Sequence, residues 1–305
     1  MKKSILITLA FVATTIFAQG QYNSCAGKST VTETRIVKVR NEATGVMEQK
    51  EVQEKVKDVD GFGNARGNQY DLAVDGAFEG QTIVVLHLFT GEGFDFELPK
   101  AALAEKGFSV YRFLNVPPSP EVLEEALSKA CQLWVISSLE QTLNDEHAEV
   151  IKKFFDSGKG VYLWGDNDPA HGEADFLGNK LLGVTMNGHY MGDQNVSFKT
   201  DTTKSGMIPD HLITTGLEYV FEGITISKIN DPNQAMTPLI YSTDGNVVTS
   251  IYEQQGKRLI IDGGFTRLYC NWKSAGTGRY VKNAAAWLVN YERFGEAVVS
   301  ENLEK

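Results

Sequence analysis

The chain has 305 residues, of which 42% are hydrophobic, and its 39 Asp and Glu outnumber its 29 Lys and Arg to give a formal net charge of −10 at pH 7. This excess of acidic residues argues against binding to nucleic acid or to anionic membrane surfaces, because both need a basic footprint. Three cysteines allow at most one intramolecular disulfide, which excludes a disulfide-stapled scaffold.

The first twenty residues have the features of an export signal. Two lysines precede an apolar run over residues 5–17, and small residues at 18–20 supply a cleavage site. That run is too short for a comfortable membrane span, and no later segment is apolar for long enough to cross a bilayer. We therefore expect an exported protein, periplasmic or secreted. A lipoprotein acylated at Cys25 is the alternative, although residues 22–24 lack the apolar residue expected before such a cysteine.

A β-rich arm is predicted over residues 21–79. Residues 31–40 mix β-branched and polar side chains as a half-buried or edge strand does, and residues 48–56 repeat the pattern after a turn at 41–45. This spacing favours an exposed hairpin over a flexible arm. Three glycines within residues 58–67 then predict a loop.

The main domain, residues 80–294, alternates strands and helices. The predicted strands cover residues 82–89, 108–114, 133–136, 159–164 and 258–261, and the predicted helices cover residues 96–106, 121–130, 145–156, 173–182 and 278–291. This alternation of strands and helices predicts an open, mostly parallel sheet with helices on both faces, a flavodoxin-like α/β fold. Residues 183–250 read as looser, with short strands near 197, 225 and 247, and residues 295–305 form a polar tail.

Several residues with reactive side chains fall in segments that predict burial. Cys131 leads into the third strand of the main domain and is predicted to be a buried, unreactive thiol. His87 lies within an apolar strand and is predicted to be a core histidine with a hydrogen-bond partner. The plausible disulfide pair is then Cys25 with Cys270.

The most informative segment is the run over residues 159–168, Lys-Gly-Val-Tyr-Leu-Trp-Gly-Asp-Asn-Asp. It reads as a buried strand that ends on Gly165 and delivers Asp166 and Asp168 to the edge of the sheet. In several α/β enzyme families this corner carries a Cys or Ser nucleophile on a strained turn. Here the corner carries Gly165, Asp166 and Asn167.

Over residues 80–293 the pattern resembles the class I glutamine amidotransferase-like superfamily, including its branch of trehalose-utilisation-type proteins. Three features carry the resemblance. They are the helix over 146–156 that leads through Gly158-Lys159-Gly160 into the elbow strand, the segment Asp210-His211-Leu212-Ile213-Thr214-Thr215-Gly216, and the glycine-rich end of the last strand followed by the helix with Asn283-Ala284-Ala285-Ala286-Trp287-Leu288. The resemblance implies the fold.

The chain departs from that superfamily at the elbow. An amidotransferase has a cysteine nucleophile there, with a His and a Glu supplied late in the chain. Here neither Cys nor Ser is present at residues 165–167, and no histidine follows His211. Because a glutaminase needs a thiolate activated by a paired imidazole, glutaminase activity is not expected.

A candidate ligand site follows from the fold. In open α/β sheets, ligands bind outside the carboxyl ends of the strands. The polar residues predicted at that edge are Thr90, Glu92, Ser138, Asp166, Asn167, Asp168, Asp262 and Arg267. Carboxylates and an arginine on one rim suit a small polar ligand, a sugar for example, through charge-assisted hydrogen bonds. No cofactor is predicted.

Two chemical hypotheses involve the rim carboxylates. Asp166, Asp168 and Asp262 have the oxygen ligands that Ca²⁺ or Mg²⁺ prefers, but Pro169 and a missing acid break the calcium-loop pattern. In the second hypothesis, Asp166 and Asp262 are a catalytic pair, and such pairs cleave glycosides when their spacing is right. His171 or His189 is the candidate for the proton shuttle of that pair.

A transition-metal site and a purely structural role are also considered for this region. His171, His189 and Asp193 would suit a transition metal, but their spacing is irregular and no cysteine joins them, so no metal is predicted. Asp166 and Asp262 also suit the role of turn caps. Arg267 pairs with Asp262 for structural reasons in that case.

The leading functional hypothesis is an exported, non-catalytic binding or assembly protein of the cell envelope. The expected partners are a small polar ligand or an envelope protein, bound by the strand-end crevice, by residues 183–250 or by the N-terminal arm. The alternative is a hydrolase that acts on a carbohydrate or another polar ligand through the strand-end carboxylates.

Overall fold

We describe the protein from a computed structural model. It describes residues 30–57, 59–61, 63–273 and 276–290. The predicted export signal, Cys25 with its proposed disulfide to Cys270, and the polar tail therefore involve residues outside the described ranges.

The chain order of the elements follows the predicted alternation. The strands are β1 (Thr30–Arg40), β2 (Met47–Lys57), β3 (Thr82–His87), β4 (Ser109–Leu114), β5 (Gln132–Ile136), β6 (Gly160–Trp164), β7 (Thr185–Met191), β8 (Asn195–Val196), β9 (Gly206–Met207), β10 (Val220–Phe221), β11 (Thr225–Asn230), β12 (Thr237–Tyr241), β13 (Val247–Gln254) and β14 (Lys257–Asp262). The α-helices are α1 (Glu97–Glu105), α2 (Pro120–Ser128), α3 (Asp145–Asp156), α4 (Gly172–Leu182) and α5 (Thr277–Leu288). Within the described residues every helix is too short or too polar to span a membrane.

The main sheet has the order β4-β3-β5-β6-β14-β13-β12-β9. Its first five strands run parallel, and their order along the chain is the 2-1-3-4-5 of flavodoxin-like folds. The last three strands are antiparallel additions beside β14. Helices α1 and α5 pack together on one face, and α2, α3 and α4 pack on the other. The predicted fold class is confirmed.

The central strands are buried on both faces because nearly every residue in them is apolar. In β3, Ile83 and Val85 belong to the core on the α1/α5 side, while Val84 and Leu86 belong to the core on the other side. This is the two-residue alternation of a strand between two layers. Cys131 is buried, as predicted, and burial raises the pKa of its thiol to about 12, so the thiol is protonated at neutral pH.

Residues 183–250 are more ordered than predicted. Residues 187–191 of this segment belong to strand β7, and β7 pairs with β11. Strand β12, which was not predicted, extends the main sheet with β13 and β9. The prediction was wrong here because backbone pairing holds these strands, while Gly188 in β7 and Pro238 in β12 are residue types that are depleted in strands.

The predicted hairpin is confirmed. β1 and β2 pair antiparallel along their full length, from Thr30 opposite Lys57 to Arg40 opposite Met47. They form a two-stranded sheet of their own and do not pair with the main sheet. The side chains of Val39 and Val52 are 45% and 39% exposed, so these apolar residues of the hairpin are not covered by the described part of the chain.

Candidate functional site

The turn after β6 is built around Gly165. Its backbone N–H donates to the carbonyl of Asp262 at 2.8 Å, and its carbonyl accepts from Phe265 N–H at 3.2 Å, which ties β6 to the end of β14. A Cβ added at Gly165 would lie 2.8 Å from the Cβ of His171 and 3.0 Å from the methyl group of Met186. No space therefore exists at residue 165 for the side chain of a nucleophile.

The backbone of this turn also differs from a nucleophile elbow. Residues with positive φ occur at many turns of the chain, but Gly165 and Asp166 are not among them. A nucleophile elbow holds its residue in a strained conformation so that the side chain points over the sheet. The corner after β6 is instead an ordinary turn.

Asp166 shapes that turn. Its carboxylate accepts the backbone N–H of Asn167 at 2.8 Å, and its own N–H donates to the carbonyl of Ala170 at 2.8 Å. The residue is buried. The turn-capping role considered for Asp166 is therefore realised in the structure.

Asp262 lies at the centre of a fully buried polar network. Its Oδ2 accepts hydrogen bonds from Tyr280 Oη at 2.8 Å, Tyr162 Oη at 3.1 Å and Arg267 Nη1 at 3.1 Å. Its Oδ1 accepts the N–H of Gly264 at 2.9 Å. Neither Asp262 nor Arg267 is exposed to solvent. Because a buried carboxylate needs this many donors to replace water, the network satisfies Asp262 completely.

The electrostatics of the network fix the charge states of its members. Burial raises the pKa of the Tyr162 hydroxyl well above 10, and the neighbouring Tyr280 raises it further. Burial and the charge of Asp262 raise the pKa of Tyr280 in the same way. Burial lowers the pKa of the Arg267 guanidinium, but Asp262, the two tyrosines and Glu222 together outweigh burial and raise it. The network is thus one ion pair with two neutral phenols.

Asp262 and Arg267 were expected on an open rim, and this expectation is corrected. They do come together, but they do so inside the protein. Arg267 Nη2 also donates to the carbonyl of Glu222 at 2.9 Å, and the guanidinium lies over the ring of Tyr280 at 5.3 Å. The apolar residues between β14 and α5 enclose the pair, which a sequence pattern cannot show because it gives position along a strand and not depth.

Two predicted site residues follow the neighbouring strands β3 and β5. Thr90 is exposed, and its hydroxyl hydrogen-bonds the side chain of Asn115. Ser138 donates its backbone N–H to the carboxylate of Glu173 at 2.8 Å. The side chain of Glu92 lies outside the described part of the structure. A ligand role for Thr90 and Ser138 stays a prediction.

A second group surrounds the turn after β6. Asn167 Nδ2 contacts His189 Nδ1 at 2.9 Å, and its Oδ1 accepts from the hydroxyl of Thr225. Asp168 projects outward with 67% of its side chain exposed, and its Oδ1 lies 3.7 Å from Nε2 of His171. Both ring nitrogens of His171 are buried without a hydrogen-bond partner in the described residues. Asp168 and Asp262 thus differ in exposure, since Asp168 faces solvent and Asp262 is fully buried.

Sequence reasoning missed two buried glutamates. The carboxylate of Glu173 accepts the N–H of Ser138 and the N–H and hydroxyl of Thr142, each at 2.8 Å. The carboxylate of Glu222 accepts the N–H and hydroxyl of Thr243, each at 2.7 Å, and burial raises its pKa. Acidic residues in a helix first turn are ordinary, so no sequence signal distinguished Glu173.

The described residues contain no cluster of side chains that would support either metal hypothesis. Among the described residues, no three His, Cys, Asp or Glu side chains are grouped as a metal ion requires. Asp193 is exposed and lies 3.4 Å from Asn271 Nδ2, while His189 contacts Asn167.

Comparison with known proteins gives distant structural likenesses. No family model and no curated protein matches the chain. Among solved structures, a protein described as a putative GMP synthase subunit from Thermoplasma acidophilum has 12% identity and a TM-score of 0.49 over 72% of this chain and 98% of its own. A ThuA-like protein from Parabacteroides merdae has 12% identity and a TM-score of 0.45, covering 69% of this chain and 90% of its own. The glutaminase domain of Trypanosoma brucei CTPS, with bound acivicin, has 8% identity and a TM-score of 0.38, covering 68% and 93%.

Proposed function

We propose that this protein is an exported, non-catalytic binding and assembly protein of the cell envelope, built on a glutamine amidotransferase-like domain. The β1–β2 hairpin is its assembly element. The observation that carries the proposal is the hairpin itself, which stands apart from the main sheet with its apolar residues exposed. The predicted signal over residues 1–20 supports export.

The hairpin needs a further strand. A lone two-stranded hairpin is marginally stable in water, and a third strand or a packed face is needed for stability. The register places valines of both strands on one face, where they lie among charged residues (Val37, Val39, Val52 and Val56). Pairing a free edge with another chain would enlarge this valine face into a sheet.

The charges of β2 favour a second copy of the same chain as the partner. If two β2 strands pair antiparallel about Val52, each Lys50 lies opposite Glu54 of the second copy. Directly opposed unlike charges stabilise an antiparallel pair, and like charges destabilise it. If two β1 strands paired antiparallel about their central residue instead, Arg35 would lie opposite Arg35 of the second copy. The β2 edge is therefore the better surface for self-pairing.

A charge-reversal experiment tests the pairing. Lys50→Glu and Glu54→Lys each bring like charges together twice in a homodimer, so each variant alone should weaken self-association about tenfold. An equal mixture of the two variants should restore it, because every contact then joins unlike charges. Sedimentation equilibrium of the wild type, the two variants and the mixture measures the effect.

A cysteine variant supplies the geometric control. Val52→Cys should form an interchain disulfide under mild oxidation, whereas Thr34→Cys on β1 should not. A monomeric wild type, or variants whose mixture does not recover association, would contradict self-pairing. Crosslinking from residue 52 in intact cells to a different envelope protein would keep the assembly role and replace the partner.

The hydrolase hypothesis needs two carboxylates that face a substrate at a defined spacing. Asp262 does not meet this need, because it is fully buried and accepts four hydrogen bonds. Asp166 caps its own turn. The contacts of these two residues favour the binding and assembly role.

A further inference from the structure

A cavity of about 440 Å³ lies between α1 and α5, on the outer side of those helices and away from the turn after β6. Its walls include Asn64 and Arg66 from the segment before β3, Leu98 and Glu105 from α1, and Trp272 and Arg279 near the start of α5. Its volume falls in the range of small-molecule sites, roughly 300–1,000 Å³.

The floor of the cavity consists of ion-paired side chains around Asp71. Asp71 is fully buried and lies 2.7 Å from Arg279 Nε, 2.8 Å from Lys282 Nζ and 3.0 Å from Lys106 Nζ. Lys282 also contacts Glu105 Oε2 at 2.8 Å. Arg279 donates further hydrogen bonds to backbone carbonyls of the neighbouring loops. These cations already have partners, so they form a rigid polar floor.

The charge balance of the cavity favours a neutral ligand. The ionisable side chains that line it are three acids and three bases: Asp60, Asp71 and Glu105, with Arg66, Arg279 and Lys282. An anion or a cation would bring a charge into a site that is already neutral, at a cost in desolvation. A neutral ligand with hydroxyl groups can hydrogen-bond both signs at once.

Asn64 supplies an unused donor. Its side chain is 1% exposed, and its Oδ1 accepts the backbone N–H groups of Glu218 at 2.7 Å and Tyr219 at 2.9 Å. Its Nδ2 is buried and has no hydrogen-bond partner among the described residues. Buried polar groups without partners are rare in native proteins and call for an unseen partner. Since Asn64 lines the cavity, a ligand oxygen would supply that partner.

Trp272 supplies an aromatic wall. It is half-buried, whereas Trp134, Trp164 and Trp287 are fully buried in the core. Its indole lies over Gly278, where an added Cβ would be 3.4 Å from the ring. An aromatic face beside polar groups suits a ligand that is apolar on one side and hydroxylated on the other.

We infer that this cavity binds a neutral saccharide, with Trp272 against its apolar face and Asn64 Nδ2 donating to one of its oxygens. The inference is independent of the hairpin, because no residue of β1 or β2 lines the cavity. It also differs from the strand-end rim, since its walls come from α1, the start of α5 and the segment before β3.

Tryptophan fluorescence with calorimetry tests the site. The purified protein is titrated with glucose, galactose, mannose, N-acetylglucosamine and their β-1,4-linked disaccharides, with glucose 6-phosphate as the charged comparator. At least one neutral sugar should bind and change the emission, because Trp272 is the tryptophan in contact with solvent. The phosphorylated sugar should bind more weakly.

Two variants test whether Asn64 and Trp272 contribute to sugar binding. Asn64→Asp keeps the acceptor for two backbone N–H groups but removes the donor, and it should weaken binding about tenfold. Trp272→Ala should weaken binding by a similar factor, while Tyr111→Ala, at an exposed aromatic on β4, should have no effect. If no neutral sugar binds at millimolar concentrations, or if binding is indifferent to both substitutions, the inference is wrong.

Discussion

Asp262 lies where the sequence predicts, but its role differs from the predicted one because the residue is buried. The sequence places it at the end of the last parallel strand, and the structure confirms that placement. Its surroundings come from residues distant in sequence, Tyr162 on β6 and Tyr280 on α5. The structural pair of Arg267 with Asp262, one of the alternatives from the sequence, is present, but no local pattern indicates that two phenols will enclose this carboxylate.

Replacing Asp262 should therefore destabilise the fold. Asp262→Asn leaves the guanidinium of Arg267 buried without its counter-charge, and breaking a buried pair in this way costs about 3–5 kcal/mol. Asp168→Asn is the matched control, because that side chain is mostly exposed and should change stability by less than about 0.5 kcal/mol. Urea unfolding of both variants measures the difference, and equal midpoints would contradict a structural role for Asp262.

At the scale of elements, the βα units could be predicted, whereas of the antiparallel extension only a strand near residue 247 could. Helix α3 begins and ends at the predicted residues, and Ser119 caps α2 ahead of Pro120. These elements have strong apolar periodicity and local start signals. Strands β9 and β12 have neither apolar periodicity nor local start signals. They form because their backbones pair with the neighbouring strands of the sheet.

The contact between β6 and α5 gives a prediction at this scale. A Cβ added at Gly160 would lie 2.3 Å from the carbonyl oxygen of Leu288, which is backbone and cannot move aside. Gly160→Ala should push α5 from the sheet and cost about 1–3 kcal/mol. Gly61→Ala, where no atom lies within 4 Å of the added Cβ, is the control. Thermal unfolding compares the two, and a stable Gly160→Ala would show that α5 adjusts freely.

Two histidines with lowered pKa values, His87 and His211, couple the stability of the whole molecule to pH. Burial lowers the pKa of His87 to about 4, with Arg112 lowering it further, and burial lowers the pKa of His211 to about 4 as well. The unfolded chain has ordinary histidines with pKa values near 6.5. Between about pH 6.5 and about pH 4 the unfolded state therefore binds more protons, and stability falls as the pH falls.

Urea midpoints measured from about pH 7 to about pH 4.5 should record this fall. His87→Leu should make the dependence shallower, because one histidine no longer takes up a proton on unfolding. Glu222 acts in the opposite sense, since burial raises its pKa and its contribution to stability is lost as the pH rises through that value. Two histidines against one glutamate leave a net fall towards acid, and an identical slope in the variant would exclude His87 as its source.

The contrast between the two sheets has a consequence for aggregation. The main sheet ends on one side in β9, a strand of two residues, which offers an incoming chain very little backbone to pair with. The hairpin has strands of eleven residues whose edges are open in the described structure. The Lys, Arg and Glu residues along the hairpin oppose repeated strand pairing between molecules, because only certain registers bring unlike charges together. Among the described residues the hairpin thus offers the longest strand edges for intermolecular β-pairing, and its charges limit the registers in which that pairing occurs.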